Sequence, residues 1–213
     1  TALNSSTGVY TQTVVNQDRF GLEGKASYSF AANDVTGKIW LGGKHQKIQT
    51  HAVAPTTVVG YTAGSGAISE RDARAWEIGA KAAASGFEVV AYYFDGKNAD
   101  HGVGQAINTN AVGYATSTAE TDNRGGYFQA TYVLPTKTKV GLAYGVSKLD
   151  LANGESAAAN TLFKENERTT FGLYHPLTKH LSLVAEYNNV ESKAHGGNKN
   201  TSQTGSLGAI LFF

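Results

Sequence analysis

The sequence contains neither cysteine nor methionine among its 213 residues. Without cysteine, the chain has no disulfide framework and no thiolate metal site. Without methionine, residue 1 is not a translation start, which predicts a processed or shortened chain. Proline is also scarce, with three residues, so the twenty-five glycines do not indicate a disordered linker, although ordinary glycine usage is only about 7%.

An excess of charge and long hydrophobic runs are missing as well. Eighteen lysines and arginines stand against seventeen acidic residues, and the net charge of +1 gives no support to nucleic-acid binding. The longest apolar runs are Val89–Phe94 and Ala209–Phe213, whereas a membrane-spanning helix needs roughly 18 residues. No signal-peptide pattern opens the chain. Membrane proteins built from strands are still open, because their signal is periodicity rather than hydropathy.

Apolar and polar residues alternate along much of the chain with the period of two that predicts β-strands. In Phe20–Phe30 the even positions are apolar or small and the odd positions are polar or charged. These eleven residues exceed an ordinary globular strand of about five or six. Eight further segments repeat the pattern: Thr36–Gln49, Arg74–Ala84, Phe87–Asp95, Gly125–Leu134, Thr138–Leu149, Arg168–His175, His180–Val190 and Gly205–Phe213. Gly8–Asn16 is a candidate tenth strand.

Short and long connections alternate strictly between these strands. The short ones are Ala31–Val35, Ser85–Gly86, Pro135–Lys137 and Pro176–Lys179. The long ones are His51–Asp72, Gly96–Arg124, Ala152–Glu167 and Glu191–Thr204. Tight turns at one end and long polar loops at the other are the layout of an outer-membrane barrel. The predicted fold class is therefore all-β, an antiparallel transmembrane β-barrel.

The apolar face of each strand is expected to meet lipid, with the polar face toward water. Aromatic residues gather on the apolar face near strand ends, as in an aromatic girdle: Tyr28, Phe30, Phe87, Tyr132, Tyr144 and Tyr187. The charged exceptions on this face, Arg74, Lys47 and Lys148, adjoin long loops. These residues are candidates to bind lipopolysaccharide phosphates, and the alternative is that their side chains only snorkel to the membrane surface. Trp40 breaks the pattern in the other sense, because it falls on the polar face.

The final residues, GAILFF, resemble the C-terminal assembly signal of bacterial outer-membrane barrels, which is carried here by Leu207, Ala209, Leu211 and Phe213. Tyr127–Asp150, Phe171–Tyr187 and Ser85–Lys97 resemble strand–turn–strand units of the general porins of Gram-negative bacteria. The resemblance covers Phe20 to Phe213. It implies a sixteen-stranded, usually trimeric, water-filled channel in the outer membrane. The implied partners are outer-membrane lipid, lipopolysaccharide, two further copies of the chain and the barrel-assembly machinery.

Nine or ten strands are fewer than such a porin has, which predicts the C-terminal part of a larger barrel. Residues 1–19 are expected to be an extracellular-loop segment or partial strand, and residues 20–213 the C-terminal strands. If the last strand ends in the periplasm, Phe20–Phe30 also runs toward the periplasm, so residues 1–19 enter from an extracellular loop. A ten-stranded barrel closed by Gly8–Asn16 is the competing arrangement.

Nine charged residues on the polar face are predicted to line the pore, where such charges bias ion selectivity. They are Glu23, Lys25, Lys38, Lys44, Glu77, Lys81, Glu88, Lys139 and Glu186. Five lysines and four glutamates favour neither anions nor cations. The alternative is that these side chains only solvate the barrel interior.

No catalytic, cofactor or metal site is expected. The sequence has no nucleophile elbow and no phosphate-binding loop, and its six histidines lack metal-ligand spacing. The predicted function is passive diffusion of ions and small hydrophilic solutes through an outer-membrane porin, without enzymatic activity. One alternative is a small monomeric outer-membrane barrel that acts as an enzyme or adhesin, and another is a soluble β-sandwich.

Overall fold

The computed structural model describes residues 2–4, 9–11, 13–16, 20–52, 68–98, 121–151, 153, 156–157 and 163–213, and the side chains from residue 20 onward except 48–52 and 68–71. Its strands are β1 Ala2–Asn4, β2 Val9–Thr11, β3 Thr13–Asn16, β4 Leu22–Ala32, β5 Val35–Ala52, β6 Ile68–Ala84, β7 Phe87–Lys97, β8 Asp122–Val133, β9 Lys139–Asp150, β10 Phe163–Pro176, β11 Leu181–Ala194 and β12 Lys199–Leu211. Among these residues no helix is long and apolar enough to cross a membrane. The predicted all-β antiparallel class is confirmed.

Strands β4 to β12 form one antiparallel meander in which each strand pairs with the next along the chain. β3 pairs with the same edge of β5, beyond the end of β4. β4 and β12 are the two edges, and no backbone pairing joins them in the part of the chain described. The ten-stranded closed alternative is therefore wrong, because β2 pairs with β1 and β3 with β5 rather than with β12. The division of the chain at residue 20 stays a prediction.

Tight turns connect the strands at one end of the sheet, called here the short-turn end. Ser85 and Gly86 join β6 to β7 with φ values of 49° and 84°, as a two-residue type I′ hairpin requires. Asn33–Asp34 and residues 134–138 and 177–180 form the other turns at this end. At the opposite, long-loop end, the predicted connections lie largely outside the described residues, which omit 53–67 and 99–120.

Several strands extend further toward the long-loop end than the alternation predicts. β10 begins at Phe163 rather than Arg168, and the last connection consists of residues 195–198. The predicted long loop Glu191–Thr204 is therefore wrong. Charged residues on the apolar face interrupted the pattern, but they pair across strands, as Lys193 does with Glu165, and so continue the sheet.

The sheet has an exposed apolar face and a more buried polar face. Side chains of the apolar face such as Trp76, Phe128 and Leu142 are 45%, 52% and 55% exposed, whereas Glu77 on the polar face is 3% exposed. Soluble domains show the reverse arrangement. The buried apolar side chains in the described ranges are just Ala73, Ala75, Phe94 and Leu149. A β-sandwich needs two apolar faces in contact, and the described strands provide no such dry core.

Candidate pore wall

All nine predicted pore residues lie on the polar face. The register places Glu23 and Lys25 of β4, Lys38 and Lys44 of β5, Glu77 and Lys81 of β6, Glu88 of β7, Lys139 of β9 and Glu186 of β11 on the same side of the sheet. Glu23 pairs directly with Lys44 in this register. The structure therefore gathers these charges on one surface, and their role in lining a pore stays a prediction.

Glu77 is the most deeply buried charge of the polar face. The ammonium of Lys25 lies 2.7 Å from Glu77 Oε1, and the hydroxyl of Tyr92 donates a hydrogen bond of 2.9 Å to Oε2. Gly42 stands between Lys25 and Glu77 in the register, and a Cβ at Gly42 would lie only 3.1 Å from Glu77 Cγ. Because a buried carboxylate is costly without partners, the lysine and the tyrosine account for its presence here.

A second ion pair joins two more of the predicted residues. Lys81 Nζ lies 2.6 Å from Glu88 Oε2, and both side chains are partly exposed. Lys38 faces Lys81 directly across the β5–β6 ladder. The wall therefore carries groups of both signs, and its two lysines that face each other lie beside a carboxylate that binds one of them.

A third cluster lies toward the short-turn end. The hydroxyl of Tyr174 donates to Glu186 Oε1 at 2.6 Å. Lys139 Nζ stands 5.3 Å from the centre of the Tyr174 ring, within the range of a cation–π contact. Tyr174 thus contacts two of the predicted pore residues, Glu186 through its hydroxyl and Lys139 through its ring.

Sequence reasoning missed several hydrogen-bonding side chains on this face, most of them uncharged. Tyr92 and Tyr174 hold carboxylates, and the hydroxyl of Thr170 donates to Asn188 Oδ1 at 2.7 Å. Arg168 donates to the same Asn188 oxygen from Nε and Nη2, at 3.1 and 2.7 Å. The available signal was that Tyr92 and Arg168 stand at polar-face positions of their strands.

Charged side chains also cross the apolar face at the long-loop end, and we call this set the charge band. Its ion pairs join neighbouring strands: Lys97–Asp122 at 3.4 Å, Arg124–Asp150 and Lys148–Glu165 at 2.7 Å, Lys193–Glu165 at 2.9 Å and Lys199–Glu191 at 2.6 Å. His45 Nε2 lies 3.4 Å from Asp72 Oδ1 in the same band. Lys148, predicted to contact lipopolysaccharide or to snorkel, is thus bound to a carboxylate. No three acidic or histidine side chains within the described ranges form a metal-ligand set.

Glu165 is the centre of the charge band and lies beyond the apolar part of β10. Hydrogen bonds from Lys148 and Lys193 lower the pKa of Glu165 to about 2. The same contacts raise the pKa of Lys193, with Glu191 adding to the effect. The carboxylate therefore stays ionised throughout the neutral and mildly acidic range.

One antiparallel sheet with an exposed apolar face, a charged opposite face and tight turns at one end has the strand arrangement of a transmembrane β-barrel wall. The outer membrane channel DcaP of Acinetobacter baumannii has a similar fold, with a TM-score of 0.69 and 13% sequence identity. The match covers 100% of this chain and 56% of that channel, so the chain spans about half of its length. No protein-family model and no curated protein matches the sequence. The resemblance to general porins in particular stays a prediction.

Proposed function

We propose that this chain forms part of the wall of an outer-membrane channel through which ions and small hydrophilic solutes diffuse passively. The observation that carries the proposal is the segregation of the two faces, with Leu142 and Phe128 exposed and Glu77 shielded on the opposite side. A charged side chain on the lipid face costs about 2–4 kcal/mol at the bilayer midplane. The face that carries Lys25, Glu77, Lys81 and Glu88 is therefore the one suited to water.

The fold shared with DcaP, an outer membrane channel, supports the same function and location. Because β4 and β12 are not paired with each other in the described part, we propose that further strands complete the barrel, to sixteen as the porin resemblance implies. The proposal includes a homotrimer, contact with lipid and lipopolysaccharide, and no enzymatic activity.

We also propose that the barrel-assembly machinery recognises the apolar residues of β12 and its end. Leu207 and Leu211 are 90% and 64% exposed on this edge strand, and Ala209 shares their face in the register with β11. Phe213 follows the strand and is fully exposed. An exposed apolar edge of this kind is available for pairing with another chain.

The test is conductance. Protein purified from outer membranes and added to a planar bilayer in KCl should give stepwise increases in current that are proportional to voltage. A barrel filled by its own side chains, as an enzyme or adhesin of this class would have, predicts no steps. Absence of conductance from folded, membrane-inserted protein would refute the proposed function.

A further inference from the structure

Trp40, the exception to the sequence pattern, belongs to a row of aromatic residues on the polar face. The register aligns Trp40 of β5 with Gly79 of β6, Tyr92 of β7 and Tyr127 of β8. The ring centres of Tyr92 and Tyr127 are 5.5 Å apart, and the ring planes differ by 33°. We call Trp40, Tyr92 and Tyr127 the aromatic row.

Gly79 allows the indole of Trp40 to lie across the wall. A Cβ built on Gly79 would overlap the indole atoms Cζ2 and Cε2 of Trp40, so no other residue fits beneath the ring as it stands. The ammonium of Lys25 stands 5.6 Å from the Trp40 ring centre and helps to fix the indole. At the other end of the row, Tyr127 is 43% exposed and offers an accessible ring.

Hydrogen-bonding groups of both signs border the aromatic row. The next row on the polar face toward the long-loop end contains Lys25 and Glu77, which form an ion pair with each other. The adjacent row toward the short-turn end contains Lys38 and Lys81, and Lys81 is paired with Glu88. Two of the three bordering lysines are thus neutralised by a carboxylate, which leaves a weak net field beside the rings.

We infer that the aromatic row is a contact site for the rings of carbohydrate solutes, an inference that rests on the proposed channel for the access of such solutes. A sugar ring presents C–H groups on its faces, which suit aromatic faces. Its hydroxyls lie at the rim, where the partly exposed Lys25, Lys81 and Glu88 can form charge-assisted hydrogen bonds. The paired charges favour an uncharged, hydroxylated solute over an ion.

The length of the row sets the size of the solute. Trp40 and Tyr127 are separated by three strand-to-strand steps of about 4.8 Å each. This span accommodates more than one sugar ring, so an oligosaccharide should bind more tightly than a single ring.

The two tryptophans of the sequence allow a direct binding test. Trp76 lies on the apolar face, so Trp76→Phe leaves Trp40 as the sole indole reporter. The full-length protein in detergent is titrated with maltotriose, with the acyclic sorbitol and with benzoate, an aromatic anion. Maltotriose should produce a saturable change in Trp40 emission, and sorbitol and benzoate should not.

A matched pair of tyrosine variants assigns the change to the aromatic row. Tyr127→Ala should weaken the apparent affinity for maltotriose about tenfold, which is the size of effect seen when an aromatic side chain that stacks on a nucleic-acid base is replaced by alanine. Tyr187→Ala removes a tyrosine of similar exposure, 47%, from the apolar face and should leave the affinity within twofold. Equal affinities in the two variants would overturn the inference.

The remaining outcomes also decide the matter. No saturable response to maltotriose, an equal response to sorbitol, or a response to benzoate alone would each overturn the inference. KCl conductance of the same protein, measured in parallel, keeps the two claims apart. Conductance without maltotriose binding would reject the carbohydrate site and leave the channel, whereas absence of conductance would reject the channel alone.

Discussion

An arginine placed on each face of the same region of the sheet distinguishes a lipid-facing surface from a water-facing one. Ala130 lies on the apolar face of β8, between Val89 and Leu142 in the register. Ala143 lies on the polar face of β9, between Gln129 and Thr170. Ala130→Arg and Ala143→Arg therefore make the same chemical change in adjacent register rows on opposite faces.

The expected magnitude for Ala130→Arg follows from its surroundings. Its register neighbours are apolar, and the charge band begins at Arg124, six residues along β8. At about 3.3 Å per residue this is roughly 20 Å, too far for the new side chain to reach. Toward the short-turn end, β8 continues for only three residues to Val133, about 10 Å, part of which an extended arginine side chain spans. The substitution should therefore cost about 2 kcal/mol, the lower end of the range for an arginine at the bilayer midplane. Ala143→Arg should cost under about 1 kcal/mol, because its guanidinium meets water on a polar surface.

The assay is reversible unfolding of the protein in phospholipid vesicles by urea or guanidinium, followed by tryptophan emission. Ala130→Leu is the control for added volume on the apolar face and should leave the unfolding free energy nearly unchanged. Equal destabilisation by the two arginine substitutions, or a larger loss for Ala143→Arg, would refute the assignment of the faces.

Two further predictions concern individual carboxylates. Glu77→Gln leaves the ammonium of Lys25 uncompensated, so the reversal potential in a KCl gradient should shift in the direction of greater anion selectivity. Glu167→Gln, on the apolar face, is the control and should leave the reversal potential unchanged. Absence of a shift in Glu77→Gln would place that residue away from the conduction path. The pKa of Glu165 is lowered to about 2 from its ordinary value of 4.5, so its stabilisation is present above pH 4.5 and lost as the pH falls toward 2. The urea midpoints of wild type and Glu165→Gln should differ at neutral pH and converge over that interval, and a difference independent of pH would contradict the assignment.

The faces of the strands were predictable because lipid and water impose opposite requirements on alternate residues. Phe128 and Tyr132 are apolar for the same reason that Gln129 and Thr131 are not, and a period of two records that constraint directly. Trp40 was correctly assigned to the polar face even though its residue type suggested otherwise.

The ends of the strands were not predictable in the same way. Beyond the apolar belt, Glu165 and Lys193 occupy positions on the apolar face of their strands. Charged residues at such positions break the alternation, as residues of a loop would. What continues the sheet is the cross-strand pairing of these residues with each other and with Lys148. Such pairing depends on the register between neighbouring strands. The alternation of residues along a single strand gives no information about that register.

The contacts within the candidate pore wall depend on register for the same reason. Lys25 and Glu77 are 52 residues apart in the sequence and 2.7 Å apart in the structure. Their charges marked both as candidates, but nothing local joined them. Tyr92 carries no charge at neutral pH and was therefore not recognised as the second partner of Glu77.

Quenching of the two tryptophans tests most directly whether the apolar face meets lipid and the polar face meets water. Trp76→Phe leaves Trp40, and Trp40→Phe leaves Trp76, each in protein folded into vesicles. The emission of Trp76 should be quenched by lipids brominated near the headgroup end of their acyl chains, and the emission of Trp40 by iodide in the aqueous phase. Quenching of Trp40 by the brominated lipid, with Trp76 responding only to iodide, would contradict the account.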